Sequence, residues 1–281
     1  MLTVAVKSHR DSAGPSPASG PPRLMHERPP NADLLELTCV ARLAMGVACD
    51  NGAIVDWSTV LGVAIRERCA TLAWLRSAPQ IRRLAPPDVS SKWRRHALAA
   101  IEESIAFASE LGALLTTLDS AGITTVVLKG QPLGVQLYGD AAARPLSDVD
   151  LLISAAQRDR AHEVLVLNGW QHLEGVAPRE GTYRRSAQAR NGHVEVHSSI
   201  LDDALLSHVV VPVTALESVE LHGVNVRAPC GPLLPLFLAV HLAKHALVPL
   251  LWWIDFDAAW LRMSPEERIA ARATAAELGL D

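Results

Sequence analysis

Two stretches of this 281-residue chain alternate charged or polar residues with valine: Asp148-Val149-Asp150 and His193-Val194-Glu195-Val196-His197. A period of two belongs to a half-buried β-strand, where successive side chains leave opposite faces. Asp148 to Ile153 (DVDLLI) therefore reads as a strand with charge at its mouth, Asp148 and Asp150 sharing one face. Glu195 can point from a neighbouring strand to meet them, and His193 and His197 share its face by the same alternation. Three carboxylates then converge on one side of a small sheet.

The surrounding pattern is consistent with that core. Ile123 to Leu128 (ITTVVL) is β-branched and runs into Lys129-Gly130, a buried strand ending in a glycine turn. A short helix follows from Pro132 with Leu133, Leu137 and Tyr138 on its apolar side, then the loop DAAARPLS before the acidic strand. Gln157 to Asn168 reads as a helix capped by Gly169, and Glu220 to Ala228 as a hairpin turning at His222-Gly223. Upstream, apolar residues recur at three and four from Asn31 to about Pro87, and a long helix spans about Ser91 to Ser120. Downstream, Pro232 to Leu278 is helical again. The expected class is α+β, with a disordered tail over 1–30, a helical segment over 31–120, an α/β core over 121–229 and a helical segment over 230–281.

Composition excludes several other classes. With 49% hydrophobic and 20% charged residues the chain is globular rather than fibrous or wholly disordered. A formal charge of -4 argues against broad DNA binding. Cys39, Cys49, Cys69 and Cys230 form no C-x-x-C pair, so neither a zinc ribbon nor a disulfide framework is expected. The apolar stretch from Leu233 to Trp253 is interrupted by Pro235, His241, Lys244, His245 and Pro249, which reads as buried helices, not a membrane span. Met1 to Val6 lacks the long apolar region of a secretion signal, so a soluble cytoplasmic protein is expected.

Neighbouring strands lie about 4.8 Å apart, which suits carboxylates that bridge metal ions about 3.5–4 Å apart in phosphoryl and nucleotidyl transfer. Oxygen ligands select a hard cation, Mg²⁺ or Mn²⁺. Lys129 is one of only four lysines, and a glycine turn beside it lets backbone N–H groups approach phosphate. Arg144, in the connecting loop, is placed to touch a phosphate, and the Ser147 hydroxyl can meet a phosphate oxygen or merely cap the loop.

The stretch LKGQPLGVQLYGDAAARPLSDVDLLI, followed by HVEVH, HLAKH and WWIDFDAAW, resembles the uncharacterised bacterial nucleotidyltransferase family of the DNA polymerase beta-like superfamily. The resemblance covers roughly Ala121 to Leu261, and its central motif is K-G followed by R-x-x-S-D-x-D. It implies a small mixed sheet flanked by helices, an NTP donor with Mg²⁺, and release of pyrophosphate as NMP passes to an unidentified acceptor. It places Asp148 and Asp150 as the metal pair, Glu195 as third carboxylate where the superfamily has aspartate, and Lys129-Gly130 at the phosphate turn.

Three other readings remain open. A phosphotransferase on this scaffold would not release pyrophosphate, and a silent nucleotide-binding or toxin-antitoxin partner would bind NTP without turnover. A transition-metal module of His193, Glu195 and His197 leaves the D-x-D and K-G motifs unexplained. His241 and His245 stand one helical turn apart on an apolar helix, and Trp252, Trp253 and Trp260 at helical spacing read as core.

Residues 12–30, SAGPSPASGPPRLMHERPP, offer almost nothing to bury. A chain starting at Asn31 is expected to unfold with the cooperativity and midpoint of the full chain. Differential scanning calorimetry of the two checks this, and a large fall in melting temperature in the shorter one refutes it.

Overall fold

A computed structural model describes residues 34–49, 55–145, 148–173, 181–185, 193–198, 215–244 and 249–277. Four helices come first: α1 (Leu34–Ala44), α2 (Trp57–Arg66), α3 (Ala70–Leu84) and α4 (Pro87–Ser120). Asp56 starts α2 by accepting from the Ser58 backbone N–H at 3.0 Å and the Thr59 hydroxyl at 2.7 Å. Pro86-Pro87 separates α3 from α4 because proline suits a helix's first position and not its interior. Val40, Leu43, Val60, Leu72, Ile81 and Trp93 form the core of this helical block. The buried Trp93 indole donates to the Ala70 carbonyl at 2.8 Å.

The chain then alternates: β1 (Thr125–Val127), α5 (Gln131–Tyr138), β2 (Asp148–Ile153), α6 (Arg158–Leu167), β3 (Trp170–Leu173), β4 (Gly181–Arg185) and β5 (His193–His197). The five strands form one mixed sheet in the order β1-β2-β5-β4-β3. β2 and β5 run parallel, and every other pairing is antiparallel. The hairpin β6 (Leu216–Leu221) and β7 (Val224–Pro229) is a separate two-stranded sheet. Helices α7 (Leu233–Lys244), α8 (Leu250–Arg262) and α9 (Pro265–Glu277) follow.

The mixed sheet has one apolar face at its centre. Val149, Leu151 and Ile153 of β2 and Val194 and Val196 of β5 pack into one cluster with Leu111, Leu115 and Leu118 of α4 and Leu165 of α6. Alternation leaves Asp148, Asp150 and Glu195 for the other face. The class is therefore α+β, as the sequence indicates.

The structure adds to the sequence reading in four places. Strands β3 and β4 were not anticipated, and β1 is three residues long instead of the six of Ile123 to Leu128. The apolar stretch after Leu233 divides into α7 and α8, and among the described residues no helix is long and apolar enough to cross a membrane. Trp253 is 43% exposed, so it is not core. Cys39 and Cys49 come together, their Sγ atoms 3.0 Å apart, because the turn through Gly46, at φ 73°, folds the chain back after α1. The tail over 1–30 and His245 lie outside the described residues.

Two glycines shape the approach to β2. Gly130 begins α5 at φ 86° and ψ -132°, a conformation essentially reserved for glycine. Gly134 lies inside α5 where a Cβ would sit 2.7 Å from the Asp140 carbonyl oxygen and 2.9 Å from that of Ala141. Those oxygens belong to the 3₁₀ turn at Ala141–Ala143 and cannot move without displacing the loop to Asp148. Alanine is the better helix former by about 1 kcal/mol, yet Gly134→Ala is expected to destabilise the fold by about 1–3 kcal/mol net. A lower urea midpoint with unchanged slope is the expected reading, and a raised midpoint refutes the close approach.

Candidate active site

The β1–β2 ladder continues one residue beyond β1, the Leu128 N–H donating to the Asp150 carbonyl at 2.9 Å. Lys129 is thereby delivered to the mouth of β2. Its Nζ donates to Asp148 Oδ2 at 3.1 Å and lies 3.1 Å from Asp150 Oδ2. From the other side, the parallel register sets Asp150 opposite Glu195, Asp148 opposite His193 and Leu152 opposite His197. His197 Nε2 lies 2.9 Å from Asp150 Oδ1 and 3.8 Å from Glu195 Oε2.

The site has a closed end and an open one. Asp150 and His197 are 4% and 6% exposed, whereas Asp148 and Glu195 are half-buried. Burial raises the Glu195 pKa, the charges of Asp150 and Asp148 raise it further, and Lys129 and His197 oppose them without cancelling the shift. Burial works against the Lys129 ammonium, but Asp150 and Asp148 outweigh it and hold its pKa above the ordinary lysine value. Three carboxylates thus share the Lys129 ammonium, an excess of negative charge that suits a divalent ion. Among the described residues, Asp150, Glu195 and His197 offer one ligand atom each, all within 4.8 Å of one another. That group takes His197 and not His193 from the alternative histidine triad.

Arg144 lies 6% exposed, with Nη2 2.9 Å from Oδ2 of the fully buried Asp255 on α8. The Tyr138 hydroxyl, at the end of α5, donates to Asp255 Oδ1 at 2.6 Å. The sequence suggested Arg144 in a loop facing phosphate, and the structure commits one of its guanidinium nitrogens to α8. Asp255 had no role in the sequence reading, although an aspartate between Ile254 and Phe256 in an apolar helix is a signal that it must be paired. Ser147 lies outside the described residues.

A second residue escaped the sequence reading. Arg68 closes α2 at φ 60°, with its N–H on the Ile65 carbonyl and the Cys69 N–H on that of Ala64. This is a Schellman closure whose left-handed position normally takes glycine, and a side chain there costs about 1–2 kcal/mol. Burial lowers the Arg68 pKa, Asp148 raises it and Arg144 lowers it, which puts its charge in the field of the site. Next to it, the buried Glu67 accepts from the Leu250 N–H at 2.9 Å and so caps the start of α8.

The residue pattern, the sheet and the carboxylate cluster define a nucleotidyltransferase-type domain. The profile described as "Uncharacterised nucleotidyltransferase" matches residues 54–281, and the chain belongs to that family. No curated protein matches it. Among solved structures it is similar to ANT(2'')-Ia in complex with adenylyl-2''-tobramycin, with 13% identity, a TM-score of 0.49, and coverage of 61% of this chain and 98% of that one. The lincosamide antibiotic adenylyltransferase LnuA, lincomycin-bound, is 16% identical at a TM-score of 0.37, covering 46% of this chain and 84% of that one. An antigenic nucleotidyltransferase-like protein from Paracoccidioides brasiliensis is 14% identical at a TM-score of 0.41, covering 63% and 88% respectively.

Glu195 supplies a test of the site's electrostatics. Its raised pKa means that the folded chain holds this proton more tightly than the unfolded chain does. Stability therefore falls as pH rises from the unfolded carboxyl value, about 4.3, through the raised folded value. Glu195→Gln removes that loss. In EDTA the variant is expected to melt above the native chain at pH 7.5, with the gap closing towards pH 4. A variant less stable at pH 7.5 refutes the assignment of net repulsion at this site.

Proposed function

We propose that the chain transfers NMP from an NTP to an acceptor, with release of pyrophosphate, at the centre formed by Asp148, Asp150 and Glu195. The observation that carries this reading is the meeting of three carboxylates and one ammonium at the mouth of a parallel strand pair, in a member of a nucleotidyltransferase family. Asp148, Asp150 and Glu195 fit a Mg²⁺ or Mn²⁺ ion, which when bound neutralises charge on the triphosphate and acceptor oxygens.

The protein groups have separable tasks. Asp148 and Asp150 would hold the ion against the donor's phosphates, and Lys129, which lies against both aspartates, would be free to turn to the phosphates. Gly130 and the start of α5 present backbone N–H groups to phosphate. Arg68 adds a second cation at the Asp148 side, and Arg144 holds the loop into β2 against Asp255. Glu195 accepts the acceptor's proton. The acceptor oxygen bonds the α-phosphorus, the bond to the β-phosphate oxygen breaks, and pyrophosphate leaves with the electron pair. A nucleoside triphosphate donor points to the cytoplasm.

Calorimetry with ATP, with and without Mg²⁺, tests the binding step. Binding that strengthens with metal in the native chain and loses that gain in Asp150→Ala is expected. Glu195→Gln is expected to retain nucleotide binding while pyrophosphate release, with water as acceptor, falls on the order of 10²-fold. Equal ATP affinity with and without metal in both chains sinks the proposal, γ-phosphate transfer without pyrophosphate shifts it to a phosphotransferase, and binding without turnover leaves a nucleotide-binding partner protein.

A further inference from the structure

The deep end of the site contains a nitrogen that a three-carboxylate centre does not need. His197 is held by the β5 register opposite Leu152, 6% exposed, with Nε2 facing Asp150 Oδ1 at 2.9 Å and Glu195 Oε2 at 3.8 Å. Ligands about 2.1 Å from an octahedral ion stand about 3.0 Å apart when adjacent and about 4.2 Å apart when opposite. The His197–Asp150 separation equals an adjacent pair, and the His197–Glu195 separation falls between the two limits. One atom from each residue lies within 4.8 Å of the others, slightly beyond the widest octahedral spacing, so small side-chain rotations would bring all three to one ion with the strands in place.

We infer that His197 Nε2 is a direct ligand of the divalent ion, completing an Asp150–Glu195–His197 set that selects Mn²⁺ over Mg²⁺. The inference rests on reading the site as a divalent-ion centre and adds the identity of the ion. Imidazole is a good donor to transition ions and a poor one to Mg²⁺, whereas the two carboxylates serve Mn²⁺ and Mg²⁺ alike. Nε2 lies at hydrogen-bond distance from Asp150 Oδ1. With the ion in place Nε2 supplies its lone pair, Nδ1 carries the ring proton, and Asp150 Oδ1 turns from the hydrogen bond to the ion. Lys129 lies at Asp148 Oδ2 and Asp150 Oδ2, away from the imidazole side of Asp150.

The rival role for the same contact is a positioning one, in which His197 only orients Asp150. The two are separated by measuring Mn²⁺ and Mg²⁺ binding to the full chain by calorimetry without nucleotide, and nitrogen coupling to bound Mn²⁺ by pulsed electron paramagnetic resonance. Native chain, His197→Ala, His197→Gln and Asp150→Asn are compared after circular dichroism has established their fold. Glutamine keeps a neutral donor near Asp150, so it serves if the alanine variant does not fold. The native chain is expected to bind Mn²⁺ about tenfold or more tighter than Mg²⁺ and to show one directly bonded nitrogen. Both His197 variants are expected to lose that signal and most of the preference, with Mg²⁺ affinity changing far less. Mn²⁺ bound without nitrogen coupling in the native chain, or coupling and preference retained in His197→Gln, overturns the inference and leaves the carboxylate centre standing. No binding of either ion by the native chain, with Asp150→Asn indistinguishable from it, overturns the divalent-ion reading as well.

Discussion

The parallel pairing of β2 with β5 is the constraint on which the rest of the site depends. It sets Asp150 directly opposite Glu195, an arrangement that two like charges disfavour. The opposite faces of the same strands supply the compensation, since Val149, Leu151, Val194 and Val196 are buried against α4 and α6. A slip of one residue would turn those four side chains to the polar side and the carboxylates into the core, so the apolar face fixes the register of the charged one. Lys129 offsets part of the repulsion, and the raised pKa of Glu195 reflects its burial first and the remaining repulsion from Asp150 and Asp148 second.

Besides the apolar packing of α4 on the sheet, buried polar contacts tie α2 and α8 to this centre. Glu67, at the end of α2, caps α8, and α8 carries Asp255, which holds Arg144 in the loop before β2 and Tyr138 at the end of α5. Each contact joins elements far apart in sequence. A buried ion pair of this kind adds little net stability over an apolar substitute, but losing one partner alone costs about 3–5 kcal/mol. Its effect is therefore specificity of placement: the loop ahead of Asp148 has one position that satisfies Asp255. The left-handed Arg68 fits the same account, a local cost of about 1–2 kcal/mol accepted where a cation is delivered towards Asp148.

What was legible in the sequence was local and periodic. The alternation in DVDLLI and HVEVH fixes the face of each carboxylate, and β-branched ITTVVL running into Lys129-Gly130 fixes the turn, so the meeting of Asp148, Asp150, Glu195 and Lys129 needed only the pairing of two strands. Strands β3 and β4 were not legible because Trp170-Gln171-His172-Leu173 and Gly181-Thr182-Tyr183-Arg184-Arg185 alternate weakly and acquire their strand character from pairing with β5. Arg68 was hidden by a rule that expects glycine at that helix end, and Asp255 by the apolar helix around it. His197 was read only as a member of a rival triad with His193, since spacing places both on one face and only the twist and depth of the sheet separate them.

The depth of the site also orders its chemistry. Asp150 and His197 lie at the enclosed end, where charge is weakly screened and a ligand atom is held by the sheet on which it sits. Asp148 and Glu195 lie at the half-open end near Lys129, where in the proposed reaction groups would exchange partners as nucleotide enters and pyrophosphate leaves. A centre built this way keeps its fixed charges inside and its changing ones outside. Lys129 joins the two ends by holding both aspartates, and in the proposed reaction its four-carbon stem would let the ammonium reach phosphate without moving the strands. The strand register alone sets the positions of the carboxylates, which is the kind of preorganisation that the proposed transfer to phosphorus would require, because catalysis there is mostly a matter of position and charge.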